Sequence, residues 1–338
     1  IGGVEPGAGN LISGNTAFGV QVVGQGATNV RIEGNLIGTD IDGMSAIGND
    51  TGVLIEDASG VVVTGNLVSG NTFGVSIFGT EASSNVVSGN LIGTAADGET
   101  DLGNTWRGVS VHYAAETLIG GTTEAERNVI SGNGYDDVFL TDSRRTVVQG
   151  NYIGTNADGT DYVADDPRGV VGVHLVGDQD SQIGGTTPGA GNVISGQGTG
   201  IRLDTKSVGN RTVGTQIQGN IIGPTADGRA LPGFTHYFGL LVSGHVDSDN
   251  QTHQIHDVLI GGTEPGAGNL ISGNQDKGVF VRGPGAQRIT IQGNKIGTDI
   301  DGTESLGNDT GVMIEDASGV VVGGTQPGAR NIISGNVR

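Results

Sequence analysis

The chain has 338 residues, 66 of them glycine and none of them cysteine, and carries a formal net charge of −20. The lack of cysteine excludes disulfides, thiolate metal sites and thiol catalysis. The acidic balance argues against nucleic acid or an anionic membrane as partner, because phosphate requires a basic surface.

In chain order, the first elements are IGGVEPGAGN at Ile1, LISGN after it, and a short G-V-Q-V run from Gly19. A second pattern follows: V-R-I-E-GN, LIGT, an x-x-DG loop and another G-V-x-I run from Gly52. The two patterns then alternate with variations. IGG-x-x-PGAGN returns at Ile183 and Ile260, and GNDTGVLIEDASGVVV at Gly48 returns at Gly307 with one change, Leu54 to Met313. The closing G-V-x-I runs begin at Gly19, Gly52, Gly74, Gly108, Asp137, Gly172, Gly200, Gly239, Gly278 and Gly311, spaced 22 to 39 residues apart. Repetition of this kind marks a solenoid.

Each run is short, alternates strictly and carries Val, Ile or Leu at both inward positions, so it is a strand. Gly-Asn and Asp-Gly pairs between runs supply turns, and glycine at this density would cost a helix about 1 kcal/mol each. Three short strands cannot bury an apolar face alone. Stacked copies about 4.8 Å apart can. The expectation is an all-β solenoid of about ten turns, three strands per turn and roughly 50 Å long. The pattern is in mid-cycle at both ends, so residues 1–338 are expected to be one solenoid domain excised from a longer chain.

The G-V-x-I, V-x-I-x-GN, I-x-GT/SGN cycle resembles the single-stranded right-handed parallel β-helix repeat of pectate lyases, polygalacturonases, alginate lyases, mannuronan epimerases and phage tailspikes. The resemblance covers the whole chain. It implies that Asn35, Asn66, Asn90, Asn151, Asn220 and Asn294 stack as a ladder between the second and third strands. It also makes G-V-x-I the first strand of each turn, whose sheet carries substrate in the lyases and epimerases. The lyases' basic cluster, the polygalacturonases' paired aspartates and the epimerases' Tyr-Gly-Phe-Asp-Pro-His motif are not evident.

Counting by two from each glycine gives the outward positions of these strands. Most are bland, but His112, Thr141, His174, Arg202 and Asp204 are expected to form one central column of ionisable and polar groups, a site candidate. Phe139 belongs to the same face. Tyr113 and Asp142 follow their strands. The links Thr155–Val171, Pro224–Phe238 and Ser243–Asp257 are long enough to wall a groove, bringing Tyr162, Asp165, Asp166, His236, Tyr237 and His245 towards it. His174, Arg202 and Asp204 are the candidate catalytic residues and the others the candidate substrate-binding ones. In β-elimination or C5 epimerisation of a uronic acid, Arg202 neutralises the carboxylate, His174 is the base, and His112 or Tyr113 is the acid. In glycoside hydrolysis, Asp204 pairs with Asp142, Asp165 or Asp166.

Four of the six histidines fall between His236 and His256, in a polar loop with no regular spacing for zinc. The x-x-DG turns at Asp42, Asp97, Asp158, Asp227 and Asp301 admit calcium but lack its dense carboxylates, and read as turn formers. No metal site is assigned, and calcium is the one cofactor candidate. The reading is an extracellular or cell-surface protein acting on a polysaccharide, as a lyase or epimerase on an anionic glycan. Alternatives are a glycoside hydrolase and a non-catalytic structural or adhesive repeat. Neither nucleic acid nor membrane is expected as partner, and the chain is expected to be a monomer or to associate end to end.

Overall fold

The computed structural model describes residues 1–5, 7–163, 170–205, 211–233, 235–244 and 254–338. Among these, strands cycle in order through three parallel sheets of ten, eleven and eleven strands. The front sheet stacks Phe18–Val23, Thr51–Glu56, Phe73–Phe78, Arg107–His112, Asp136–Thr141, Val171–Val176, Thr199–Asp204, Phe238–Ser243, Lys277–Arg282 and Thr310–Glu315. A second sheet holds segments such as Arg31–Glu33, and a third holds pairs such as Leu36–Ile37. Crossovers between parallel strands take the right-handed course, so the chain is a right-handed parallel β-helix. A single 3-10 turn, Glu124–Glu126, is the helical element among the described residues.

The core is built from rows of β-branched residues in register. On the front sheet, Val53, Val75, Val109, Val138 and Val173 lie on consecutive turns and are fully buried or nearly so. The third sheet adds Ile37, Ile92, Ile130, Ile153 and Ile194. Inward positions read from the sequence are inward here, and on the last front strand Ile314 keeps the row of Val281 although it is exposed.

The asparagine ladder contains the six residues expected of it and more. Asn10, Asn35, Asn66, Asn90, Asn128, Asn151, Asn192, Asn220, Asn269, Asn294 and Asn331 form one run, each side-chain amide donating to the next at 2.8–3.1 Å. The asparagine of PGAGN thus takes the same place as that of V-x-I-x-GN, and the two kinds of turn share one corner. A second ladder runs where the third sheet returns to the front sheet, from Asn15 through Asn49, Asn71 and Asn104 to Asn133, and again from Asn274 through Asn308 to Asn336.

The front strands depart from strict alternation at one point. A Cβ placed on Gly108 would meet Asn133 Nδ2 and Ile130 Cγ2, both at 2.7 Å, so this residue faces inward like Val109 after it. The residue before it, Arg107, therefore faces out. Each front strand begins one residue earlier than the G-V-x-I count and presents a third outward side chain. The x-x-DG loops are closed by their own side chains. Asp40 Oδ1 accepts from the amides of Met44 and Ser45, and Asp299 Oδ1 from those of Thr303 and Glu304.

Candidate functional site

The third outward position completes a charged cluster on the fourth to seventh front strands. Cross-strand register aligns Arg107 with Asp136, Phe139 with His174 and then Arg202, and His112 with Thr141, Val176 and Asp204. The expected single column is thus two adjacent rows, one through His174 and Arg202, the other through His112, Thr141 and Asp204. The two rows converge because long side chains on neighbouring strands lean across to one another.

Asp136 anchors the cluster. It is fully buried; its Oδ2 accepts from Arg107 Nε at 3.0 Å and its Oδ1 lies 3.1 Å from His174 Nδ1. A carboxylate only accepts, so Nδ1 carries the proton and the neutral imidazole keeps its lone pair on Nε2. Nε2 is buried, hydrogen-bonds to nothing among the described residues, and stands 3.7 Å from Asp204 Oδ2. That distance is an ion-pair contact rather than a hydrogen bond. Asp204 in turn pairs with the Arg202 guanidinium. Basic and acidic side chains therefore alternate along Arg107, Asp136, His174, Asp204 and Arg202.

Burial acts to lower the His174 pKa, but the bond to Asp136, the Asp204 carboxylate and the charge of Asp136 together outweigh it, even against Arg202, and hold the group above its ordinary 6.5. The Arg107 guanidinium lies 3.7 Å from the centre of the Phe139 ring, which also meets His112 and His174 at 5.5 and 5.3 Å.

Two grooves flank the cluster. One, of about 500 Å³, opens beside Asp204 and is lined by Arg202, Ser243, Arg282 and Glu315. Arg282 Nε donates to Ser243 Oγ at 3.0 Å. The other, of about 320 Å³, lies towards the N-terminal turns between Phe73, Phe78, Trp106 and His112.

Several expected contact residues stand elsewhere. His236 is fully buried inside the solenoid, 3.0 Å from Asn274 Oδ1 and 2.9 Å from Gln197 Oε1, where it serves as a rung of the second ladder and not as a groove wall. Burial pushes its pKa down to about 4. Phe139 is 2% exposed and Thr141 equally covered, so they support the face from beneath rather than touch a ligand. Tyr113 and Tyr237 are exposed at opposite margins of the front sheet. Asp142 follows its strand in the left-handed region, at φ 52°. Tyr162 bridges Thr155 within its own loop. Asp165, Asp166 and His245 lie outside the described residues.

Sequence reasoning passed over Asp136 and Arg107, because counting by two from the glycine places both inside. The available signal was polarity. Asp136 and Asp137 are adjacent acids at a point where two inward groups of that kind would be costly.

Fold and site together define a parallel β-helix solenoid with a charged centre on its front sheet. The Dettilon tailspike protein superposes with a TM-score of 0.55 at 14% identity, over 97% of this chain and 59% of the tailspike chain. The chain thus spans about three fifths of that protein, and the likeness is one of fold. The mannuronan C-5 epimerase A-module of Azotobacter vinelandii aligns at 12% identity with a TM-score of 0.32, over 98% of this chain and 87% of its own. PfbA, a surface adhesin of Streptococcus pneumoniae, aligns at 10% with 0.23, over 92% and 82%. The last two superpose too loosely to bear on this chain. No protein-family model and no curated protein sequence matches it.

Proposed function

We propose that the front sheet binds an extended, uronate-containing polysaccharide outside the cell and that the His174 centre cleaves it by β-elimination. The observation that carries this reading is the placement of His174. Its Nδ1 is fixed by a buried carboxylate, while its Nε2 is left without a hydrogen bond among the described residues, on a stretch of the front sheet whose fourth and seventh strands carry Arg107 and Arg202. Parallel strands about 4.8 Å apart present a repeating face to a polymer whose sugars advance by nearly the same length.

In the step proposed, Arg202 shares its charge between Asp204 and the uronate carboxylate, which acidifies the neighbouring C–H. The His174 Nε2 lone pair takes that proton. The electron pair left on carbon forms the new double bond as the C–O bond to the leaving sugar breaks, and the imidazolium gives its proton to the departing oxygen. One proton-carrying group on one face suffices for this sequence, whereas epimerisation needs a donor on the opposite face. The Phe139 ring stands between His112 and His174, so neither His112 nor Tyr113 is assigned as acid. Hydrolysis needs two carboxylates at the scissile bond, and Asp136 is covered by Arg107 and His174. The net negative charge disfavours long contact with an acidic polymer, and an acidic unit at the site depends on the nearby arginines, because charges farther off than about 8 Å are screened at physiological salt.

A panel of acidic and neutral polysaccharides, read by product mass, tests the reading. Unsaturated fragments are expected from an acidic member, with the rate lowered about 10²–10⁴-fold in His174→Ala and also reduced in Arg202→Ala. Fragments that have gained water, or turnover unaffected by His174→Ala, would contradict it. An absence of turnover on every member would leave a non-catalytic binding face.

A further inference from the structure

We infer that the aromatic groove towards the N-terminal turns is a subsite for a neutral sugar ring of the same polymer, which makes the substrate an acidic heteropolysaccharide rather than a pure polyuronate. This rests on the polysaccharide reading above. The groove's walls are Phe73 and Trp106 on one side and Phe78 and His112 on the other; its floor is Ser76 and Ser110. On the turns that follow, the row of Ser76 and Ser110 continues as Phe139, His174 and Arg202. The depression is therefore cut by two small residues where large ones stand further along.

Its walls are built for a flat ring. Phe73 and Trp106 meet at 5.7 Å, and Trp106 stacks on Tyr135 at 6.0 Å with planes only 22° apart. Phe78 meets Tyr113 edge-on at 5.8 Å. Trp106 is 51% and Phe78 41% exposed, in a chain with only 4% aromatic residues. Tyr113 holds a left-handed backbone at φ 61°, a corner filled on the preceding and following turns by Gly79 and Asp142. A bulky side chain at positive φ persists where its surroundings compel it and belongs to functional margins more often than to plain turns. Aromatic faces take the C–H face of a sugar, and the floor hydroxyls meet its rim.

The charge of the groove selects the ring. Its one arginine, Arg107, is balanced by the buried Asp136, packed against Phe139 and only 14% exposed, against 37% for Arg202, so a ring here meets aromatic faces and hydroxyls rather than an open guanidinium. The same Arg107 joins the groove to the anchor of His174. From Ser110 to His174 is two strand spacings, roughly 10 Å, which sets the neutral ring about two sugars from the uronate at the charged centre.

Trp106 is the chain's single tryptophan, so tryptophan emission, excited at wavelengths where tyrosine does not absorb, reports on this groove. The experiment titrates the His174→Ala variant, which retains the groove, with three probes: neutral β-linked oligosaccharides, homopolymeric uronate oligosaccharides and mixed acidic oligosaccharides. Saturable fluorescence changes are expected with the neutral and mixed probes, tighter for the mixed, and weakened at least tenfold by adding the Phe78→Ala change. Phe78 is exposed enough for its truncation to leave the core intact, and titration of the unaltered chain at low temperature provides a second measurement. A response only to the uronate homopolymer, or no response to any probe while the unaltered chain cleaves a polysaccharide, would overturn the inference and leave the elimination reading standing. A response to neutral probes without any turnover would sustain the subsite and remove the elimination reading.

Discussion

Asp136 and Asp137 are adjacent in sequence and face opposite ways, and the difference sets what each does. Asp136 turns out to hold His174. Asp137 turns in, at the one front-strand start where the other turns have glycine, and lies 2.9 Å from both the Asn133 amide and the Gln197 amide. Burial pushes its carboxyl up to about 7, and the same cause brings Asp178 to about 7. A carboxyl whose folded pKa exceeds its unfolded value favours folding in its protonated state, so stability is lost as pH rises from about 4 through 7. His236 acts in the opposite direction, its contribution being lost as pH falls from its ordinary 6.5 towards about 4. An amide has the shape of a protonated carboxyl and already occupies the neighbouring rungs. Asp137→Asn is therefore expected to raise stability at pH 8 by on the order of 2–4 kcal/mol and by less than half as much at pH 5. Urea unfolding at the two pH values measures it. An equal effect at both would contradict the assignment.

The strands are held in register by what happens at their corners. Two amide ladders tie turn to turn, and each rung satisfies several buried groups at once. Asn220 donates to Ile183 O, Gln218 O and Asn269 Oδ1, and accepts from Asn192. Asn220→Ala removes these together, and each buried partner left unpaired costs about 1–3 kcal/mol. A large drop in the unfolding midpoint is expected, with a smaller one for Asn15→Ala at the exposed first turn. Circular dichroism during urea titration reads both. Six rungs of the outer ladder were readable in the sequence because V-x-I-x-GN repeats with its asparagine at a fixed place. The other five were hidden by an insertion, PGAG before three of them and variants of it before Asn128 and Asn331, which changes the spacing before the asparagine and leaves its position in the corner unchanged. The second ladder was harder still, since its middle rungs are Asp137, Gln197 and His236 and share no motif.

Across the molecule, the sequence pattern carries the fold and thins out at the site for a common reason. A solenoid repeats its inward residues because each turn packs on the next, so the core announces itself. Residues 1–63 and 260–322 correspond without a gap, and the turns between them diverge. The outward face is free of that constraint, and there position alone had to reveal function. His174, Arg202 and Asp204 could be placed on the outward face because they lie beyond the glycine, where alternation holds. Asp136 and Arg107 were missed because the Gly-Val pair faces inward twice in succession. The proposed elimination turns on the bond between Asp136 and His174, and the pH dependence of kcat/KM on the cleaved polysaccharide tests it, compared between the unaltered chain and Asp136→Asn. As a base, His174 acts once deprotonated, so activity should rise with pH through an apparent pKa above 6.5. Without the Asp136 charge, burial is left to act with less opposition, and the rise should move to lower pH as the maximum rate falls. An ascending limb that stays in place in Asp136→Asn would contradict the account.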